Sequence, residues 1–207
     1  MEKRVAAEYA AQLVEDGARV GLGTGSTVAH LLPALARRRL RIRCVASSPA
    51  TEQAARAHGL SVEPFDQLDR LDVTIDGADQ IDPYFWLIKG GGGAHTREKI
   101  LAAAADRFIV IASSNKLVAA LAPPVPVEVL RFGAEATARV LETLKFRETP
   151  ASPDGGLIAD FYATIGDASK LARRLADVPG VISHGLFQPA LVTEVLIGRG
   201  SRVERLT

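Results

Sequence analysis

Four consecutive glycines, Gly90–Gly93, constrain this chain more than any other stretch. Glycine loses more backbone freedom on folding than any other residue, so a run of four is costly to order. Such a run is kept where side chains would obstruct, as where backbone approaches a ligand closely. A flexible linker would be Gly/Ser-rich and solvated. This run is instead bounded by an apolar stretch read as a strand, Phe85 to Ile88, and by a helix expected to open near Thr96 and to continue through Ala105. Lys89 stands at one end of the glycines and Glu98 just beyond the other. A cation, a bare backbone and a carboxylate make a site for a small, polar, anionic molecule with a base beside it. Glu98 can also be read as a first-turn acid that merely complements the helix dipole.

The preceding chain repeats a strand–turn–helix pattern. Residues 2 to 16 carry apolar side chains at helical spacing (Val5, Ala6, Tyr9, Ala10, Leu13, Val14), with Gly17 as the expected C-cap. A strand over 18–22 then runs into Gly23-Thr24-Gly25-Ser26-Thr27 and a helix from Val28. That turn puts backbone N–H groups and hydroxyls at a helix N-terminus, where anions bind; an ordinary turn with hydroxyl caps fits the same residues. The dinucleotide fingerprint fails here: counted from Gly21 it meets Ser26, and counted from Gly23 it meets Val28, where glycine is required. No lysine lies in the turn, so it is not a P-loop either. The turn should hold one phosphate or carboxylate and not a nucleotide.

Further strands are expected at 41–46, 71–75 and 107–112. The first leads to Ser47-Ser48-Pro-Ala-Thr51, the second to Asp76-Gly77-Ala78-Asp79, the third to Ser113-Ser-Asn-Lys116. Asp76 and Asp79 would face one side if a helical turn followed. In open α/β sheets ligands bind beyond the carboxyl ends of the strands. The hydroxyl turn, the Asp pair, Lys89 and Lys116 each follow a strand, so all are expected at one rim. Beyond Pro123 the pattern changes. Strands are expected at 127–130, 145–148, 157–162, 181–187 and 191–197, with helices at 134–144 and 168–176, which suggests a small α+β unit with an antiparallel sheet.

Composition narrows the classes. The net charge is +1 and the arginines are scattered, with no basic stripe interleaved with aromatics, so nucleic acid is not an expected partner. No apolar run is long enough for a bilayer and the charged start is not a signal segment, which points to a cytoplasmic protein with no membrane partner. The single cysteine, Cys44, reads as a small core residue. The four histidines, His30, His58, His95 and His184, lack ligand spacing, so neither a metal nor another cofactor is expected.

Taken together, Gly-Leu-Gly-Thr-Gly-Ser-Thr, Asp-Gly-Ala-Asp, Leu-Ile-Lys-Gly-Gly-Gly and Thr-Arg-Glu-Lys-Ile closely resemble the type A ribose-5-phosphate isomerases. The resemblance continues through Ser-Asn-Lys116, Pro-Val-Glu-Val and Pro-Gly-Val-Ile-Ser-His-Gly-Leu-Phe, nearly the whole chain. It implies an α/β fold: a Rossmann-like domain with a mostly parallel sheet over 1–125 and 196–207, and a smaller α+β domain with an antiparallel sheet over 126–195. It implies a homodimer or homotetramer acting on a sugar phosphate, interconverting D-ribose 5-phosphate and D-ribulose 5-phosphate in the non-oxidative pentose phosphate pathway. Glu98 falls on the family's proton acceptor. Thr24, Gly25, Ser26, Thr27, Asp76, Gly77, Ala78, Asp79, Lys89, Gly90, Gly91, Gly92 and Lys116 fall on its substrate-contacting segments. Gln80, His95 and Ser113-Ser114-Asn115 depart from the usual pattern of a glutamate, a leucine and Asp-Ala-Ser.

The chemistry assigns roles on that footing. Glu98 would take the C2 proton; the helix start lowers its pKa, whereas burial against Ile100 and Leu101 raises it. Burial is expected to prevail once substrate closes the site. Lys89 and the amides of Gly90–Gly92 would stabilise the enediolate, Asp76 and Asp79 would serve ring opening and hydroxyl binding, and Gly25, Ser26, Thr27, Lys116 and Lys3 would take the phosphate. Two other readings stay open: a coenzyme A transferase-like enzyme with Glu98 as nucleophile, and a non-catalytic sugar-phosphate sensor.

Overall fold

A computed structural model describes residues 1–68 and 70–207. The chain begins with α1 (Glu2–Gln12), β1 (Arg19–Leu22), α2 (Val28–Arg38), β2 (Arg43–Ala46), α3 (Pro49–Ala57), β3 (Ser61–Val62) and β4 (Leu71–Asp76). It continues with β5 (Gln80–Ile81), β6 (Leu87–Ile88), α4 (His95–Ala103), β7 (Ala105–Ser113), β8 (Val125–Val129), α5 (Ala134–Leu141) and β9 (Leu144–Phe146). Last come β10 (Leu157–Phe161), α6 (Ala168–Ala176), β11 (Val181–His184), β12 (Leu186–Phe187), β13 (Glu194–Arg199) and β14 (Arg202–Leu206).

Contacts divide the chain into two units. The larger comprises Met1–Ala78, Arg97–Lys116 and Ala190–Thr207; the smaller comprises Asp79–Thr96 and Leu117–Pro189. This differs from the boundaries expected at 125/126 and 195/196. The reason is pairing: β5 and β6 join β12 in a three-stranded antiparallel sheet, which takes the glycine run into the smaller unit.

The larger unit is built on a seven-stranded sheet in the order β14-β13-β7-β4-β1-β2-β3, parallel throughout except for the β13–β14 edge pair. Its central strands are near-continuous apolar runs, as strands covered on both faces must be. Val20, Leu22, Ile75, Ile109, Ile111 and Leu196 pack there with the alanine face of α1 and with Leu31 and Leu35 of α2. Successive strands run one way from β1 to β3 and the other way from β4 to β13, so the order reverses between β1 and β4. Ligand crevices of open parallel sheets form at that switch point.

Helix α1 stops at Gln12, short of the Gly17 cap expected from the sequence. Arg38 explains the early stop: its Nη1 donates to the carbonyls of Ala11 and Val14, satisfying the end of the helix from α2. Cys44 is fully buried in this core and its thiol pKa is pushed up to about 12 by that burial.

The smaller unit holds the four-stranded antiparallel sheet β11-β8-β10-β9, covered by α5 and α6 through Leu141, Leu171 and Leu175. Two expected strands are interrupted by local backbone geometry. Only Leu87–Ile88 of the 85–88 run is extended, because Phe85 has a left-handed φ of 64° in a turn organised by Asp82. The Asp82 Oδ1 accepts from the amides of Tyr84 and Trp86, offsetting the roughly 1–2 kcal/mol a left-handed residue costs. The 181–187 run breaks at Gly185, where the chain leaves β8 to pair with β6. A Cβ at Gly185 would lie 2.2 Å from the Lys89 carbonyl oxygen, so only glycine fits.

Candidate active site

In the larger unit the groups gather at the β1/β4 switch. Asp76 ends β4 with no exposed surface, and its Oδ1 accepts from the amides of Thr24 (3.2 Å) and Gly77 (2.6 Å). Gly23 makes room for it: a Cβ there would fall 1.8 Å from the Asp76 Cγ. The Thr24 hydroxyl turns inward to Ser47 (2.8 Å), Ser48 (2.7 Å) and Thr51 (3.0 Å), which anchors the turn. Those three partners were not assigned a role from the sequence, although Ser47-Ser48 and Thr51 are visible there at the end of the neighbouring strand.

Gly25 has a φ of 124°, and Ser26 beside it is exposed. The first helical bond of α2 runs from the Ala29 amide to the Gly25 carbonyl, so the amides of Ser26, Thr27 and Val28 precede the helical ladder as an anion site requires. Lys3 Nζ donates to Ser26 Oγ at 2.8 Å and brings a cation to this turn. Lys116 ends a single 3-10 turn, Ser114–Lys116, after β7. The first turn of α1 ties the two loops together: Glu2 Oε2 accepts from the Ser114 amide (2.9 Å) and hydroxyl (2.8 Å), one residue from Lys3.

Glu98 lies in the first turn of α4 and is 4% exposed. The helix is held by Thr74 Oγ1 donating to the Leu101 carbonyl (2.8 Å) and by Leu101 packing with Val45, Leu68 and Leu71. Ile100, expected to help bury the base, is instead half exposed, because it sits on the outer face of α4. The helix also stops at Ala103, since Ala105 already begins β7. Burial pushes the neighbouring Lys99 down to a pKa of about 8.

The smaller unit carries the glycine loop. Lys89 is 2% exposed; its amide donates to the Gly185 carbonyl (2.9 Å) and its Nζ lies 5.3 Å from the centre of the Phe187 ring, a cation–π contact. Gly90 has a φ of 104°, and a Cβ there would meet the buried His95 ring at 2.7 Å. Asp79 is exposed and its Oδ2 accepts from the Gly91 amide at 2.9 Å. The aspartates therefore do not share a helical turn as expected. The backbone beyond Asp76 stays non-helical into β5, and the unit boundary falls between Ala78 and Asp79.

Residues 43–202 match the family model described as ribose 5-phosphate isomerase A (phosphoriboisomerase A). A ribose-5-phosphate isomerase A from Nitrobacter hamburgensis is 46% identical, with 97% of this chain and 96% of that protein covered. The chain belongs to the ribose 5-phosphate isomerase A family. Solved structures of members agree: the one from Methanocaldococcus jannaschii superposes with a TM-score of 0.93 at 32% identity, covering 99% of this chain and 97% of that one. Another, a D-ribose-5-phosphate isomerase in complex with phospho-erythronic acid, gives a TM-score of 0.92 at 34% identity, with 99% and 96% covered.

The departures of this chain from the ribose 5-phosphate isomerase A pattern have local reasons. The Gln80 amide pairs reciprocally with Ala122, Nε2 to the carbonyl (2.9 Å) and Oε1 from the amide (2.8 Å), which a carboxylate cannot do. His95 fills the space that Gly90 leaves open. Ser114 donates to Glu2, and Ser113 Oγ donates to Asn115 Oδ1 at 2.6 Å, a bond that an ionised aspartate at 113 could not donate.

Proposed function

We propose that the chain interconverts D-ribose 5-phosphate and D-ribulose 5-phosphate through an enediolate. Glu98 takes the proton from C2 and returns it to C1, while the hydroxyl proton on O2 passes to O1. Lys89 and the amides of Gly90 and Gly92 stabilise the charge that develops on oxygen, and the Gly91 amide orients Asp79 beside them; loss of one such donor typically costs about 100- to 1000-fold in rate. Asp76 and Asp79 open the furanose ring and grip hydroxyls, alongside Gly77 and Ala78. The phosphate is held by Gly25, Ser26 and Thr27 of the turn that Thr24 anchors, with Lys116 and Lys3 as its cations.

One observation supports this assignment above the others. Asp76, Lys89 and Glu98 are charged side chains exposed by 0%, 2% and 4%, all on segments that the family resemblance assigns to substrate. Charged groups are rarely buried so fully without a partner or a task.

The test is to incubate the chain with ribose 5-phosphate and a chelator, follow ketose formation, and repeat with Glu98→Gln. Turnover by the wild type with a loss of about 100- to 10,000-fold in the variant, binding retained, is the expected result. A thioester on Glu98, or binding without turnover, refutes the assignment. The proposal extends to a homodimer or homotetramer in the cytoplasm, supported by the family resemblance; sedimentation showing a monomer would refute the first.

A further inference from the structure

A side chain outside every motif described so far holds the glycine loop. Arg147 follows β9, and its Nη1 donates to the carbonyls of Gly90 (3.1 Å) and Gly91 (3.0 Å). Its other edge is occupied by Asp160 of β10: Nε donates to Oδ2 at 2.8 Å and Nη2 to Oδ1 at 2.6 Å. The pair is largely shielded, with side chains 19% and 14% exposed. The carboxylate beside it also raises the arginine's pKa, keeping it charged. A planar guanidinium can make the two-point bond to Asp160 and still direct both Nη1 hydrogens at the loop; a lysine ammonium has no such fork.

The consequence follows from peptide geometry. In a trans peptide the carbonyl and the following N–H point in opposite directions. Drawing the carbonyls of Gly90 and Gly91 onto one nitrogen turns the amides of Gly91 and Gly92 away from Arg147. The Gly91 amide already meets Asp79 on that side. With no side chains to restrain it, this glycine segment has many alternative conformations, and a fixed partner is needed to select one. The positive charge at the carbonyl end of both peptides also strengthens their N–H groups as donors.

We propose that Arg147, fixed by Asp160, is a positioning residue for the isomerisation: it aims the amide of Gly92 at the sugar oxygen that becomes negative, while the Gly91 amide stays on Asp79. The inference rests on the functional reading given above, in which the Gly92 amide meets the enediolate. Preorganised donors act on charge that exists only in the transition state, so loss of Arg147 should lower kcat more than it raises KM.

The experiment measures Arg147→Met, Arg147→Lys and Asp160→Asn beside the wild type. Readouts are kcat, KM, the thermal midpoint, and the dissociation constants of two probes. Phospho-erythronic acid carries a carboxylate, and ribitol 5-phosphate is an uncharged polyol apart from its phosphate. The expected result is a fall in kcat of about 10- to 100-fold for both Arg147 variants and about 10-fold for Asp160→Asn, with KM within about threefold. Binding of phospho-erythronic acid should weaken in step with kcat and that of ribitol 5-phosphate by no more than about threefold. Unchanged kcat in folded variants, or equal weakening of both probes, overturns the inference. If Arg147→Met does not fold, the other two variants decide it. A wild type that leaves ribose 5-phosphate unchanged would instead remove the underlying functional reading.

Discussion

Gly23→Ala tests how closely the turn at the β1/β4 switch is built around Asp76. Gly23 has no left-handed φ, so alanine brings only its methyl group and no backbone strain. That methyl would lie 1.8 Å from Asp76 Cγ, 1.9 Å from Oδ1 and 2.4 Å from Oδ2. Carbon atoms settle near 3.5 Å, so the carboxyl or the β1 turn must move by about 1.5 Å. Overpacking of this kind costs about 1–3 kcal/mol. Weakening the bonds from the Thr24 and Gly77 amides to a buried carboxylate adds about 1–2 kcal/mol. For a chain of this length the thermal midpoint should fall by roughly 4–20 °C. A reacting group displaced by about 1 Å can lose about 100-fold in rate, so kcat/KM should drop by about that much. The assay is ketose formation from ribose 5-phosphate for wild type, Gly23→Ala, Asp76→Asn and the double variant. If the methyl acts through Asp76, the double variant should be little worse than Asp76→Asn alone. Activity of Gly23→Ala within threefold of wild type, or losses that simply add, would refute the reasoning.

Two further predictions concern stability. Lys99 has a folded pKa of about 8 against an ordinary 10.5, so between those values the unfolded chain binds more protons and stability should rise with pH. The rise should be cleanest between pH 8 and 9, since above 9 the buried Cys44 thiol, with its pKa near 12, works in the opposite sense. Urea unfolding at pH 7.5 and 9 should show this increase in wild type and its loss in Lys99→Met; an equal increase in both would exclude Lys99 as the cause. Gln80→Glu replaces the donor to the Ala122 carbonyl with a repelling oxygen and should cost about 1 kcal/mol at neutral pH, less below the carboxyl pKa where a proton restores a donor. Thermal melts at pH 7 and 4 check it, and an unchanged midpoint at pH 7 would contradict the pairing.

The parallel sheet was legible because its strands are near-continuous apolar runs, each ending in a glycine-, hydroxyl- or charge-bearing turn. The boundaries were less so. The end of α1 depends on Arg38 reaching across from α2, a partner 24 to 27 residues away that no local pattern announces. The break at Gly185 depends on how closely Lys89 approaches it, nearly a hundred residues upstream in sequence.

The same division holds for the site. Residue types and spacing alone pointed to the glycine loop, the carboxylate and the anion turn, because these needs are local: bare backbone, a helix start, a fixed charge. Only the folded chain assigned Ser47, Ser48 and Thr51 to anchoring Thr24, and Arg147 and Asp160 to holding the loop carbonyls. Those partners are chosen by strand order and register, which bring together groups that sequence distance keeps apart.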